Sequence, residues 1–188
     1  VVIATQNNVG TAGTQLLPYA QLDRFLIRLS IGYPDYESEM EIIRDRQKKN
    51  PVDDVRQVCG TEDVLQMQKE VLDVVLKDSI IAYITELTIA TRENPMVELG
   101  ISPRGALAIC RIAKARAYVY GRDYVVPEDI QAVFPDVCTH RIILSQKAKI
   151  QKVTAQQVLQ DSIAGISVPD TVKKNQAMER RKLMLIKS

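Results

Sequence analysis

Apolar positions run continuously at the start of the chain and fall into helical spacing after residue 34. Val1-Val2-Ile3-Ala4 is an unbroken apolar run that ends in Thr5-Gln6-Asn7-Asn8. Continuous rather than alternating apolarity predicts a strand buried on both faces, as in a parallel sheet. Val9–Thr14 holds two glycines and two threonines and predicts a loop. Pro18–Phe25 predicts a short helix, with Pro18 in its first turn and Leu22 and Phe25 on one face. Leu26–Ile31 is a second candidate strand, closed by Gly32 and Pro34.

From Pro34 onward the pattern is helical. Asp35 can cap a helix whose first turn carries Glu37 and Glu39, with Met40 and Ile43 as apolar positions, and Asn50-Pro51 ends it. Residues 51–61 read as irregular, Glu62–Lys69 as a short helix and Val71–Leu76 as a brief extended piece. Asp78 caps the clearest helix, where Ile80, Ile81, Ile84, Leu87 and Thr91 recur at helical spacing and Asn94-Pro95 marks the end. Ser102-Pro103-Arg104-Gly105 opens another long helix, with Ser102 as N-cap, Pro103 at N1 and Gly121 as its stop. Pro127-Glu128-Asp129 starts a shorter helix that Pro135 should interrupt before Asp136–Leu144. Thr154 and Gln157 form a capping box, and Gly165 suits the C′ position of the helix that follows. The pattern divides a mainly α chain into a strand–loop–helix–strand unit at 1–33, a helical domain at 34–168 and a basic tail at 169–188.

Composition narrows the class. The 188 residues are 46% hydrophobic and 26% charged, an ordinary globular balance, and the absence of Trp predicts an aliphatic core. A formal net charge of +2 gives no general argument for nucleic acid or membrane binding. No apolar run reaches the roughly 20 residues of a membrane-spanning helix. Cys59, Cys110 and Cys138 are scattered without a CxxC, which predicts free buried thiols in a reducing, cytoplasmic setting. The single His140 cannot build a zinc site with them at any usual spacing, so a satisfied structural histidine is expected. The first residues carry no signal-peptide pattern, and a chain that starts inside a strand is expected to be part of a longer protein.

Several chemistries are absent from the sequence. There is no GxxxxGK[ST], no HExxH and no GxSxG. The acidic run Asp35, Glu37, Glu39 and Glu41 fits a solvated helix face with acids favoured in the first turn. Three positions are more pointed. Asn7 ends a buried parallel strand, where open α/β sheets bind ligands, although Asn7-Asn8 can equally start a turn. Arg24 is held on a short helix by apolar neighbours; it suits charge on a transferring phosphoryl group, or a surface salt bridge. Arg104, at N2 of a capped helix, adds a full charge to a helix N-terminus. With Ala108, Arg111 and Ala115 it lines a stripe that suits phosphate or partner docking, or a plain solvated face.

The chain resembles the MoxR family of AAA+ ATPases. The likeness rests on Val2-Ile3-Ala4-Thr5-Gln6-Asn7, Ala20-Gln21-Leu22-Asp23-Arg24-Phe25-Leu26 and Gly32-Tyr33-Pro34. It continues through Ala90-Thr91-Arg92, Leu99-Gly100-Ile101-Ser102-Pro103-Arg104-Gly105-Ala106-Leu107, Gly121-Arg122-Asp123-Tyr124-Val125 and His140-Arg141, in the family's order over about residues 1–145. The resemblance implies that 1–33 is the C-terminal remnant of an α/β AAA+ core and 34–168 an all-α helical lid. It implies that Asn7 is the sensor-1 residue that positions the attacking water. It also implies that Arg24 is the arginine finger reaching a neighbouring subunit, and that Arg104 is the sensor-2 arginine of the lid, acting on ATP in its own subunit. ATP and Mg²⁺ are the implied cofactors, a hexameric ring the implied assembly and chaperone-like remodelling the implied activity, often beside partners with a von Willebrand factor A domain. Two positions depart from the family: Asn8 stands where it usually has proline and Tyr19 where it usually has glutamate, and the loop Val9–Gln15 differs from the usual acidic one. A magnesium-chelatase-like AAA+ subunit is the neighbouring alternative. A stand-alone helical binding module, with Arg104, Arg111, Lys114, Arg116 and the tail facing nucleic acid, is opposed by the near-neutral charge and the lack of interleaved aromatics.

Without a phosphate-binding loop, the 188-residue chain alone should neither hydrolyse ATP nor bind it tightly, because that loop and its metal ligands supply most contacts in this class. Steady turnover by the purified chain, surviving controls for contaminants, would contradict this.

Overall fold

A computed structural model of the chain describes residues 2–6, 17–47 and 50–169. They form helices α1 (Tyr19–Leu22), α2 (Tyr36–Asp45), α3 (Thr61–Asp73), α4 (Asp78–Glu93), α5 (Pro103–Val119), α6 (Pro127–Cys138), α7 (Gln146–Ile150) and α8 (Ala155–Gly165). A two-stranded antiparallel ribbon joins β1 (Val97–Leu99) to β2 (Ile143–Leu144), and short 3₁₀ turns lie at Pro51–Asp54 and Thr139–Arg141.

The core lies between α4, α5, α6 and α8, with α5 packed most extensively on α6. It is aliphatic as the composition predicts: Ile80, Leu87, Ile101, Ile109, Ile130 and Leu159 are fully buried, and Phe134 is its one phenylalanine. The helix ends follow local chemistry. Ser102 caps α5 by accepting from the Gly105 amide at 3.3 Å, and Thr154 and Gln157 close a reciprocal capping box at the start of α8. Gly121 takes φ +69° after α5, while the Arg122 amide donates to the Ala117 carbonyl and the Gly121 amide to that of Tyr118. That pair of bonds is a Schellman stop, which a left-handed glycine makes cheap. Asp129 then fixes the α5–α6 turn, accepting from the Val126 amide and from both terminal nitrogens of Arg122.

Several elements differ from the sequence reading. Neither Val2–Gln6 nor Leu26–Ile31 forms a strand, because among the described residues neither has a ladder partner; Val2, Ile3, Leu29 and Ile31 lie exposed. α3 continues to Asp73 instead of giving way to an extended piece at Val71, and Val75 makes the only parallel bridge among the described residues, to Tyr124. α4 takes Lys77 as its N-cap, placing Asp78 in the first turn, where its charge still favours the dipole. Pro135 does not interrupt α6. It removes a single hydrogen bond near the helix end, and the burial of Val133, Phe134, Val137 and Cys138 outweighs that loss. The expected segment Asp136–Leu144 instead becomes the end of α6, a 3₁₀ turn and β2. Gly165 is the last residue of α8 instead of the one beyond it.

α4 is stitched to the start of α5 across Gly100. Arg92 Nε donates to the Ile101 carbonyl at 2.8 Å, and the Ile101 amide donates to Thr91 Oγ1 at 3.1 Å. A Cβ on Gly100 would lie 2.8 Å from the Arg92 backbone, which cannot give way without moving α4. Gly100→Ala should therefore destabilise the fold by about 1–3 kcal/mol. An unchanged denaturant midpoint would disprove that close approach.

Candidate functional site

α1 is a single turn, and Asp23 closes it with its amide donating to the Tyr19 carbonyl. The Asp23 side chain points inward and is buried, which turns the next residue, Arg24, out to solvent. The buried carboxylate meets three donors. Arg141 Nε lies 3.1 Å from Oδ1, Arg104 Nη1 lies 3.2 Å from Oδ2, and Ser102 Oγ stands 3.4 Å from Oδ1. Ser102 is also the cap of α5, so the carboxylate sits at the positive end of that helix.

Arg141 reaches Asp23 from the 3₁₀ turn after α6, and its side chain is 1% exposed. All five of its N–H groups are used. Nε donates to Asp23 Oδ1, Nη1 to the carbonyls of Leu26 and Val137, and Nη2 to the carbonyls of Asp23 and Phe25. The adjoining contacts reinforce the joint. Tyr19 Oη donates to the Arg141 carbonyl at 2.9 Å, His140 Nε2 lies 3.1 Å from the Phe25 carbonyl, and the Arg28 amide donates to the Asp136 carbonyl at 2.9 Å. Gly105 makes room for the guanidinium stem: a Cβ there would meet Ile101 Cγ2 at 2.5 Å and Arg141 Cδ at 3.1 Å. Breaking a buried pair of this kind by removing one partner costs about 3–5 kcal/mol.

Of the three residues singled out in the sequence, Arg104 meets this carboxylate and Arg24 adjoins it along the chain. Arg24 is exposed beside Asp23, and Arg104, 60% exposed, pairs with the same carboxylate. Asn7 and the loop Val9–Gln15 lie outside the described residues, as does the tail beyond Pro169. The Arg104–Arg111 stripe is not an open face, because Ala108 between them is buried in the core while Arg104 and Arg111 face solvent. On α2 the acids stay exposed and Asp35 caps the helix at 2.8 Å from the Ser38 amide. Among the described residues no three His, Cys, Asp or Glu side chains are grouped to hold a metal ion, and no helix is long and apolar enough to cross a membrane.

The residues that reading the sequence missed are Asp23, Arg141 and Tyr19. The sequence held one signal for Arg141, its place in the pair His140-Arg141, but nothing local says that it is buried. Tyr19 gains an account of its own: in place of the usual glutamate it puts a hydroxyl on the Arg141 backbone, and burial beside the Asp23 carboxylate pushes its pKa up.

His140 is buried but only half satisfied, since Nδ1 has no partner. Burial lowers its pKa, and the Arg141 and Arg28 charges add to that against the opposing pull of the Phe25 carbonyl and Asp23. All three cysteines are free, but they are not all buried: Cys59 is exposed, Cys110 half-buried and Cys138 buried, where burial pushes the thiol far up.

Comparison with known proteins places these features. Residues 89–162 match the AAA lid domain family. The chain is 40% identical over 168 residues to Uncharacterized protein YeaC of Bacillus subtilis, covering 89% of this chain and 52% of that protein. It is 33% identical over 178 residues to Chaperone MoxR1 of Mycobacterium tuberculosis, covering 90% and 47%, and 31% identical to Protein MoxR of Methylorubrum extorquens, covering 88% and 53%. The fold superimposes on the crystal structure of a Cytophaga hutchinsonii protein proposed to be an ATPase, with TM-score 0.80 and 34% identity over 88% of this chain and 53% of that one. The chain thus spans about half the length of the curated relatives it matches.

Because the folded pKa of His140 is lowered, the unfolded chain binds its proton more readily. The stability this gives is fully present above the unfolded value of about 6.5 and is lost as pH falls below it. Between pH 7.5 and 5 the wild-type chain should lose stability in a step that His140→Gln lacks. Parallel pH profiles for the two in denaturant unfolding would contradict a buried neutral imidazole.

Proposed function

Because the chain belongs to the MoxR family of AAA+ ATPases, we propose that it supplies the trans-acting arginine and the lid of a ring-forming ATP hydrolase with a chaperone-like remodelling role. In this reading residues 1–33 end the α/β core, 34–168 form the lid, 169–188 are a basic tail, and the ring is a homo-oligomer of six subunits. Partners with a von Willebrand factor A domain and a cytoplasmic setting belong to the same reading.

One observation carries it: Arg104 pairs with the buried Asp23 carboxylate while staying largely exposed, and Arg24, the residue after Asp23, is exposed. Two exposed guanidiniums suit the phosphate end of ATP, and with no group of three metal-ligating side chains among the described residues the Mg²⁺ ligands are left to be supplied elsewhere. When bound, ATP with Mg²⁺ supplies the transferable phosphoryl group. Arg24 then neutralises charge that develops on that group across a subunit boundary, a role typically worth about 10³–10⁵ in rate. Arg104 holds a phosphate by charge-assisted hydrogen bonds, and its exposed pairing with Asp23 is weak enough to exchange for one. Asn7 would order the attacking water as sensor 1.

Arg104 belongs to the lid and acts on the ATP of its own subunit, while Arg24 acts on that of the neighbour.

Mixed rings of full-length protein test this. Arg24→Ala should cut turnover by about 10³-fold or more while sparing nucleotide affinity. Because Arg104 acts within its own subunit, a mixture of Arg24→Ala and Arg104→Ala subunits contains intact sites and should regain turnover. A mixture that stays inactive would put both arginines on one interface instead, and an Arg24→Ala variant that loses ATP binding but keeps its maximal rate would remove the finger assignment.

A further inference from the structure

We propose that Arg141 is the positioning residue for Arg24: it clamps the finger segment to the lid, so that the finger and the lid move as one body. The proposal rests on reading Arg24 as the finger and goes beyond it, because Arg141 touches no nucleotide in that reading.

The geometry is one-sided. Four of the five Arg141 hydrogen bonds go to residues 23–26, and only the one to the Val137 carbonyl stays within the lid. The lid core of α4, α5, α6 and α8 closes without those four bonds, so this buried charge serves the joint and not the core. The carbonyls immediately before and after Arg24, those of Asp23 and Phe25, are both held by Nη2, while the Arg24 side chain is left exposed. The finger backbone is thus bracketed by a group 117 residues away in sequence (141 − 24).

The clamp also has a seat and a strut. Gly105, in the first turn of α5, lets the Arg141 stem pass against the helix that bears Arg104. Tyr19 ties α1 to the Arg141 backbone. The same carboxylate that Arg141 holds also accepts from Arg104, so a shift of the lid is felt at both arginines at once. Lysine cannot substitute: a single ammonium offers three N–H groups from one point and cannot span five acceptors arranged around a planar fork.

The test uses full-length ATPase, with Arg24→Ala, Arg141→Lys and the double variant compared in turnover, nucleotide affinity and hydrogen exchange. Arg141→Lys should lower kcat on the order of 10²-fold, the scale of a 1 Å misplacement, with nucleotide affinity kept. Amides of residues 23–28 should exchange faster while those of α5 and α6 stay protected. The double variant should be no slower than Arg24→Ala alone, because Arg141 acts through Arg24. A folded Arg141→Lys with unchanged kcat, or a double variant whose losses multiply, overturns the clamp. If Arg141→Lys yields no folded ring, Tyr19→Phe takes its place: faster exchange at 23–28 with reduced kcat supports the clamp, and no change in either overturns it. Failure of the underlying reading shows separately, as full turnover in Arg24→Ala before any Arg141 variant is considered.

Discussion

Taking the Arg141 guanidinium out of water costs several kcal/mol unless every N–H finds a partner, and in this fold every one does. That requirement organises the region around it. Asp23 must turn inward to meet the charge, which leaves Arg24 facing out. Gly105 must lack a side chain so that the stem can pass, and the carbonyls of Asp23, Phe25 and Leu26 must converge on one plane. The segment therefore gains a defined shape with no strand and almost no helix of its own.

The body to which this segment is fixed is well suited to transmit a movement. Its helices are closed by local devices: the Ser102 cap, the Gly121 stop and the Thr154–Gln157 box. Asp129 locks the turn between α5 and α6 with a bidentate pair to Arg122. Packed aliphatic interiors resist continuous deformation, so α4, α5, α6 and α8 shift together or not at all. By contrast α2 and α3 bury no residue and add little to that rigidity.

The chemistry that the described residues of the site offer is charge placement. The site holds guanidiniums and one carboxylate, and the carboxylate is occupied in holding arginines. Such a set can stabilise and orient phosphate oxygens. The chain belongs to the MoxR family and spans about half the length of the curated relatives it matches.

The sequence by itself determined what depends on neighbours along the chain. The mainly helical character, the caps at Asp35, Ser102 and Thr154, the stop at Gly121 and the exposure of Arg24 and Arg104 were legible, because capping, periodicity and glycine conformation act over a few residues. Motif order made the family legible as well. Where local rules met burial, they lost: Pro135 stays inside α6, and Ala108 turns into the core although it stands between two arginines. The strand readings at the start failed for the opposite reason, since a strand exists only when another one pairs with it. What only the tertiary structure decided is the joint itself. Asp23 and Arg141 are 118 residues apart, and each alone reads as an ordinary surface charge. Only folding makes them a buried pair, because the desolvation that gives the contact its consequence is a property of everything packed around it and of no stretch of sequence.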